Sequence, residues 1–319
     1  MNRYKLIFAL VIIGIPTLYM VVLRAFYGVE AWNNLYTVMS VSFLFSVPTI
    51  AGALTVYFSS ESKVKKIAYR FFVPWIPVVI FFLLTLALSW EGWACWLMIL
   101  PLFLLAASIG GLIGGYFKLK QRSNKIYISI LVLLPFVISP IESMIGVIPG
   151  NYNAYTYIDI NSTADKIWDN VIRVKEIPIQ DDKGWLTRNL GFPRPVRAEL
   201  NYPGEGAYRE AVFTNGLVFH ETVTEYTDRK KMVFTIKAYP HEIPSTTMDE
   251  HIVIGGQYFD VLNGTYELEK LNEKTFRLHL YSHFKLTTTF NFYAGWWAKW
   301  IMKDIQNNIL QIEKKRAEE

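Results

Sequence analysis

Four ionisable residues stand near one another in the second half of the chain: Arg209, Glu210, His220 and Glu221, on either side of an Asn215-Gly216 dipeptide. Asn-Gly between two alternating runs signals a hairpin, so these side chains belong to paired strands and the register decides what they can do. With a Thr214-Asn215-Gly216 loop and a glycine bulge, Phe213 opposes Leu217, Ala211 opposes Phe219, Arg209 opposes Glu221 and Glu210 opposes His220. Both polar pairs are then charge-complementary. A strict two-residue loop instead sets Glu210 against Glu221, a costly like-charge pair. The longer loop is therefore expected, with Arg209 and Glu221 on the more apolar, inner face and Glu210 with His220 on the outer one. An inward Arg209 and Glu221 form either a structural ion pair or a polar handle for a ligand headgroup. In an enzyme, Glu221 with Arg209 or His220 would serve as acid and base.

All five histidines follow residue 219. His279 and His283 lie four apart on a strand, roughly 13 Å at ~3.3 Å per residue, too far to share an ion. The loop set His241, Asp249, Glu250 and His251 has no recognised ligand spacing. No metal and no cofactor are expected: the chain has no nucleotide loop, no G-x-S-x-G elbow and no H-E-x-x-H helix. Its single cysteine, Cys95, lies in an apolar run and can form no intrachain disulfide.

These residues sit in a chain of two unlike halves. Of 319 residues, 52% are hydrophobic and 18% charged, with a mean hydropathy of +0.22, which departs from soluble averages. Residues 1–150 carry a formal charge of +7 and residues 151–319 one of −2. The basic residues fall between apolar runs, where membrane topology accounts for them, and a nucleic-acid partner is set aside. Five runs without Lys, Arg, Asp, Glu or His approach the ~20 residues of a spanning helix: Leu6 to Leu23, Val38 to Phe58, Phe71 to Trp90, Trp93 to Phe117, and Ile126 to Ile141. The expectation is a five-helix transmembrane domain over 1–150 and a second domain over 151–319. Arg3, Lys5, Lys63, Lys65, Lys66, Arg70, Lys118, Lys120, Arg122 and Lys125 share one side of such a bundle, against Arg24 on the other. Positive charge accumulates inside, which predicts a cytoplasmic amino terminus and an extracytoplasmic second domain in the cell (inner) membrane. If the proline-containing fifth run is re-entrant, that domain returns inside. Transport is not expected, because Glu142 is the one ionisable group near membrane depth. Gly110, Gly111, Gly114 and Gly115 form overlapping G-x-x-x-G pairs, which serve packing within the bundle, a homodimer seam or a membrane-protein partner.

From Tyr155 the pattern alternates. A strand over Tyr155 to Ile160 and a short helix beginning at Ser162 precede strands at Val196 to Asn201, Ala207 to Phe213, Leu217 to Tyr226, Lys231 to Ala238, Tyr258 to Leu271 and Thr275 to Leu286. A final helix from about Ala294 to Arg316 carries Trp297, Ile301, Ile305, Asn308, Ile309 and Ile312 as one stripe. An antiparallel meander and a long last helix bury both apolar faces when the sheet curls around the helix. The segments "INSTADKIWDNVIRVKEI", "GLVFHETVTEYTDRKKMVFTIKA" and "WWAKWIMKDIQNNIL" resemble the START, polyketide cyclase and birch-allergen (SRPBCC) superfamily over about Tyr155 to Ala317. The resemblance implies an α+β helix-grip domain with a deep cavity between sheet and helix, used in relatives to hold lipids, sterols, hormones or polyketides. The membrane half departs from the small soluble members and suggests a tethered variant.

Alternation places Phe234 and Ile236 inward with Leu278, Leu280, Ser282 and Phe284, and Leu280 and Phe284 are expected to face Trp297 and Ile301. With Arg209 and Glu221 these are the candidate cavity residues, although any one of them could be plain core. Trp296 and Trp300, with Lys299 and Lys303 beside them, fit a membrane interface. Trp185, Leu186, Leu190 and Phe192 form a second apolar set, either bilayer contact or a loop packed on the sheet. With no catalytic set recognised, the leading expectation is a non-catalytic, membrane-tethered binder or carrier of a lipid or other apolar molecule. A cyclase- or hydrolase-type enzyme and a regulatory module for another membrane protein are the alternatives.

Overall fold

The computed structural model describes residues 10–120, 126–239, 242 and 255–319, with backbone alone for 126–130. Expectations resting on Arg3, Lys5, Arg122 and Lys125, and on His241, Asp249, Glu250 and His251, lie outside the described residues. Two compact units divide the chain, Met1–Val147 and Ile148–Glu319.

All five apolar runs of the first unit are helical, but the count of helices long and apolar enough to cross a membrane is three among the described residues, not five: Leu10–Tyr27, Ile67–Ala87 and Trp93–Lys120. The run from Val38 gives a helix only over Ser42–Phe58, because Val38–Val41 is spent largely in a turn. At ~1.5 Å per residue it is about 5 Å short of a ~30 Å hydrocarbon core. The fifth run forms the helix Ile126–Ile145, whose fully described apolar part is Leu131–Ile145. Proline shapes these helices. Each of the π-turns Leu10–Gly14 and Ser42–Ser46 runs directly into an α-segment with proline in its first two positions, the wider turn accommodating a residue that has no N–H to donate. Pro140 leaves the Phe136 carbonyl without its helical donor, and the Tyr36 hydroxyl donates to it at 3.3 Å.

Charges in this unit are held locally. Arg24 Nε donates to Glu91 at 2.6 Å and its guanidinium reaches the Trp90 carbonyl at 3.1 Å. The Glu142 carboxylate accepts the backbone N–H groups of Val41 at 2.7 Å and Ser42 at 2.8 Å, capping the helix that begins there. The four glycines are buried within the bundle. A Cβ on Gly110 would strike the Thr49 carbonyl and one on Gly111 the Arg70 carbonyl, so the close approach serves contacts inside the unit.

The second unit is one antiparallel sheet and a long helix. Its strands are β1 (Gly150–Asn161), β2 (Arg173–Val174), β3 (Pro195–Leu200), β4 (Tyr208–Phe213), β5 (Val218–Thr227), β6 (Lys231–Lys237), β7 (Phe259–Lys270) and β8 (Thr275–Leu286), in the order β1-β8-β7-β6-β5-β4-β3-β2. The final helix, Asn291–Glu318, packs on the sheet chiefly at β1 and β8. This sheet-and-helix arrangement fits the helix-grip class. The short helix Ala164–Ile172 is capped by Thr163, whose hydroxyl accepts from Lys166 N at 3.3 Å, not by Ser162. Ser162 instead donates to the Ala317 carbonyl at 2.6 Å. The edge strand β2 was not expected, since two residues show no alternation.

The loop at 182–190 packs inward. Leu186 and Leu190 are buried while Trp185 remains exposed. Asp304 accepts from the Thr187 N–H at 2.9 Å and its hydroxyl at 2.8 Å, and Asn308 binds Asp182 at 2.7 Å. The final helix is thus covered on two sides, by the sheet and by this loop.

Candidate functional site

The hairpin register is the one that charge complementarity demands. Asn215 and Gly216 turn at φ of +62° and +82°, Phe213 N donates to the Leu217 carbonyl at 2.8 Å, and Arg209 lies opposite Glu221. Both are 4% exposed and face the final helix side of the sheet. An Arg209 Nη–Glu221 Oε hydrogen bond joins them, while the guanidinium lies 5.5 Å from the Phe234 ring centroid and 5.8 Å from that of Tyr266.

A third charge enters from the final helix. Glu313 is 1% exposed; neither its carboxyl oxygens nor Arg209 Nε makes a hydrogen bond of good geometry, and the Tyr266 phenol beside Glu313 is placed to donate to it. Burial pushes the Glu313 carboxyl up to about 8, against the opposing pull of Arg209 and of the Tyr266 phenol. The same burial raises Glu221, with Arg209 drawing it back. For Arg209, burial works against the charge, but Glu221, Tyr266 and Glu313 outweigh it and hold the guanidinium above its ordinary value. Tyr266 is itself raised, by burial first and by Glu313 second. A buried polar atom without a partner costs about 1–3 kcal/mol. The Tyr266 phenol can meet one of these needs by a small rotation, and water or a ligand can meet the others.

Around this cluster the helix-facing side is apolar. Phe234, Leu278, Leu280, Tyr266 and Leu310 belong to one packed cluster, with Ile236 against it. Phe284 centres a second cluster, to which the final helix contributes Ala294, Ala298 and Met302. This departs from the expected contact with Trp297 and Ile301, both only half-buried. Trp297 stacks at 5.4 Å on Trp300. Ser282 is buried and accepts from Gln306 Nε2 at 3.1 Å; Gln306 also donates to the Ala154 carbonyl at 3.2 Å. The sheet-facing side of the helix therefore includes Ala294, Ala298, Met302, Gln306, Leu310, Glu313 and Ala317, and toward β3 and β4 also Ile312, which is buried with Ala198, Ala211 and Phe213.

Sequence reasoning missed Glu313. Its signal was a charged residue midway between Leu310 and Ala317 at 3 and 4 spacing. His220 cannot join Glu221, because strand alternation puts it on the opposite face, where it bonds Tyr208 and, at 3.0 Å, Glu242. It lies opposite Glu210 on the outer face as expected, while its ring nitrogens bond those other two side chains. Trp296 and Trp300 are 55% and 41% exposed, with Lys299 and Lys303 also exposed.

No protein-family profile matches the sequence, and no curated protein matches it. Solved structures similar to about half of the chain include a START superfamily protein from Mycobacterium smegmatis, at 9% identity and TM-score 0.35 over 53% of this chain and 98% of that one. Norcoclaurine synthase from Thalictrum flavum aligns at 10% identity and TM-score 0.31 over 52% and 95%. A protein from Nitrosospira multiformis aligns at 13% and 0.33 over 52% and 96%. The helix-grip assignment rests on strand order and helix packing, not on these likenesses.

Proposed function

We propose that the protein is a membrane-tethered binder or carrier of a lipid or other apolar molecule, held between the sheet and the final helix with its polar end at Arg209, Glu221 and Glu313. The observation that carries this is the unsatisfied buried cluster in an otherwise apolar interior. A hydroxyl fits it best: it can donate to Glu313 and accept from Arg209 Nε, and it leaves the charge balance unchanged while Glu313 is protonated. Titrating delipidated protein with a fluorescent fatty alcohol tests this. Saturable binding lost in Glu313→Leu supports it, and binding unaffected by that change removes the site.

In this proposal the three longer helices and the two shorter apolar ones all cross the membrane, which keeps the basic segments on one side, with a cytoplasmic amino terminus and an extracytoplasmic binding domain. The exposed Trp296 and Trp300 with Lys299 and Lys303 then meet the bilayer, and ligand enters there. A second reading is favoured by one observation, the burial of the Glu313 carboxyl, which raises it and favours its acid form: a cyclase- or hydrolase-type enzyme in which Glu313 is the acid. Product formation lost in Glu313→Gln while binding persists would select it.

A further inference from the structure

The outward face of the sheet holds a second constellation, independent of the interior site. Strand alternation sets Tyr155 beside Tyr281 and Tyr157 beside His279, with Glu267 next to His279 on β7. Asn153, Tyr155, Glu267, Glu269, His279 and Tyr281 line a solvent-open groove of about 510 Å³, a size suited to a small molecule. The rings adjoin: the Tyr155 centroid lies 5.8 Å from that of His279 and 6.2 Å from that of Tyr281. Their polar ends are pinned. Tyr155 Oη is 2.8 Å from His279 Nδ1, His279 Nε2 is 3.2 Å from Glu269, and Tyr281 Oη donates to Glu267 at 3.2 Å.

The charge balance of the groove is lopsided. Two carboxylates line it and no Lys or Arg does. Two cations are their cross-strand neighbours, Lys231 opposite Glu267 and Arg277 opposite Glu269, but their hydrogen bonds go elsewhere: Arg277 binds Asp159 at 2.7 and 3.0 Å, and Lys231 binds Glu225 at 3.0 Å. Arg277 also lies 4.3 Å from the Tyr157 ring centroid, so this aromatic surface already holds one cation against a ring. Fixed, partly exposed phenol rings next to acidic groups are the chemistry of organic-cation recognition.

We propose that this groove binds a small soluble organic cation bearing a trimethylammonium or similar group, through the rings of Tyr155 and Tyr281 and the carboxylates of Glu267 and Glu269. The probes are choline and its uncharged isostere 3,3-dimethylbutan-1-ol, titrated calorimetrically into the full chain in a polyoxyethylene detergent. Choline should saturate one site and bind at least about tenfold more tightly than the isostere. The Glu267→Gln, Glu269→Gln double variant should lose roughly that tenfold for choline and leave the isostere unchanged. Tyr155→Leu should weaken choline roughly 2- to 5-fold. Glu267, Glu269 and Tyr155 are exposed, and an unchanged melting temperature confirms that the variants fold. Equal affinity for the two probes, choline binding that survives the double variant, or tighter binding of methyl glucoside than of choline overturns the proposal. Retention on phosphatidylcholine vesicles without binding of free choline would assign the groove to a lipid surface and overturn it as well.

Discussion

Replacing Glu313 by Gln turns the buried carboxyl into a neutral group of nearly the same shape and makes its protonation measurable as stability. In the folded chain the carboxyl titrates at about 8, against 4.5 for an ordinary glutamate, so the native state binds the proton more tightly than the unfolded one. The stability this provides is fully present below about pH 4.5, falls as pH rises, and levels off above about pH 8. At 1.36 kcal/mol per pK unit, the shift from 4.5 to about 8 corresponds to roughly 5 kcal/mol lost across that window. The carboxamide of Glu313→Gln cannot titrate, so the variant should escape this fall and gain on the wild type by several kcal/mol at pH 8.5 relative to pH 5. Pulse proteolysis in urea, following the fragment that carries residues 151–319, measures the difference without interference from the membrane unit. All other ionisable groups are common to the two proteins, so the comparison isolates residue 313. Parallel stability curves for wild type and Glu313→Gln from pH 5 to 9 would refute the protonated, buried Glu313.

Arg209→Met alone should cost about 3–5 kcal/mol, because Glu221 is left buried and unpaired. The Arg209→Met, Glu221→Leu double variant should recover most of that stability yet bind the fatty alcohol more weakly, a split read by urea unfolding beside ligand titration. Trp296→Ala with Trp300→Ala should abolish flotation of the Ile148–Glu319 unit with anionic liposomes while leaving its far-ultraviolet circular dichroism unchanged; a wild-type unit that does not float removes the membrane contact. Protease added outside spheroplasts should digest the carboxy-terminal unit, and complete protection would place it in the cytoplasm.

The hairpin around Asn215-Gly216 was legible because a single loop length made both charge pairs complementary, and the paired strands followed from alternation. The phase of the final helix was not. Large apolar residues such as Trp297, Ile301 and Ile305 suggested one stripe, but this helix is covered both by the sheet and by the loop that binds Asp304 and Asn308. Small residues, Ala294 and Ala298, approach the sheet, and two polar ones, Gln306 and Glu313, are drawn inside with them. Side-chain size therefore found Ile312, which is buried against Ala198, Ala211 and Phe213, but it passed over the small residues beside that stripe and hid Glu313. In the membrane half, apolar composition located the five long helices among the described residues but overstated the second, Ser42–Phe58. A turn takes the first residues of the run beginning at Val38, and hydropathy does not distinguish a turn from a helix.

Native mass spectrometry of the full chain, released from mild detergent, tests the central claim most directly. The account predicts a bound apolar molecule with a hydroxyl-bearing head, present on the wild type and lost from Glu313→Leu. A wild-type chain that flies at its bare sequence mass, and takes up no fatty alcohol when one is supplied, would contradict it.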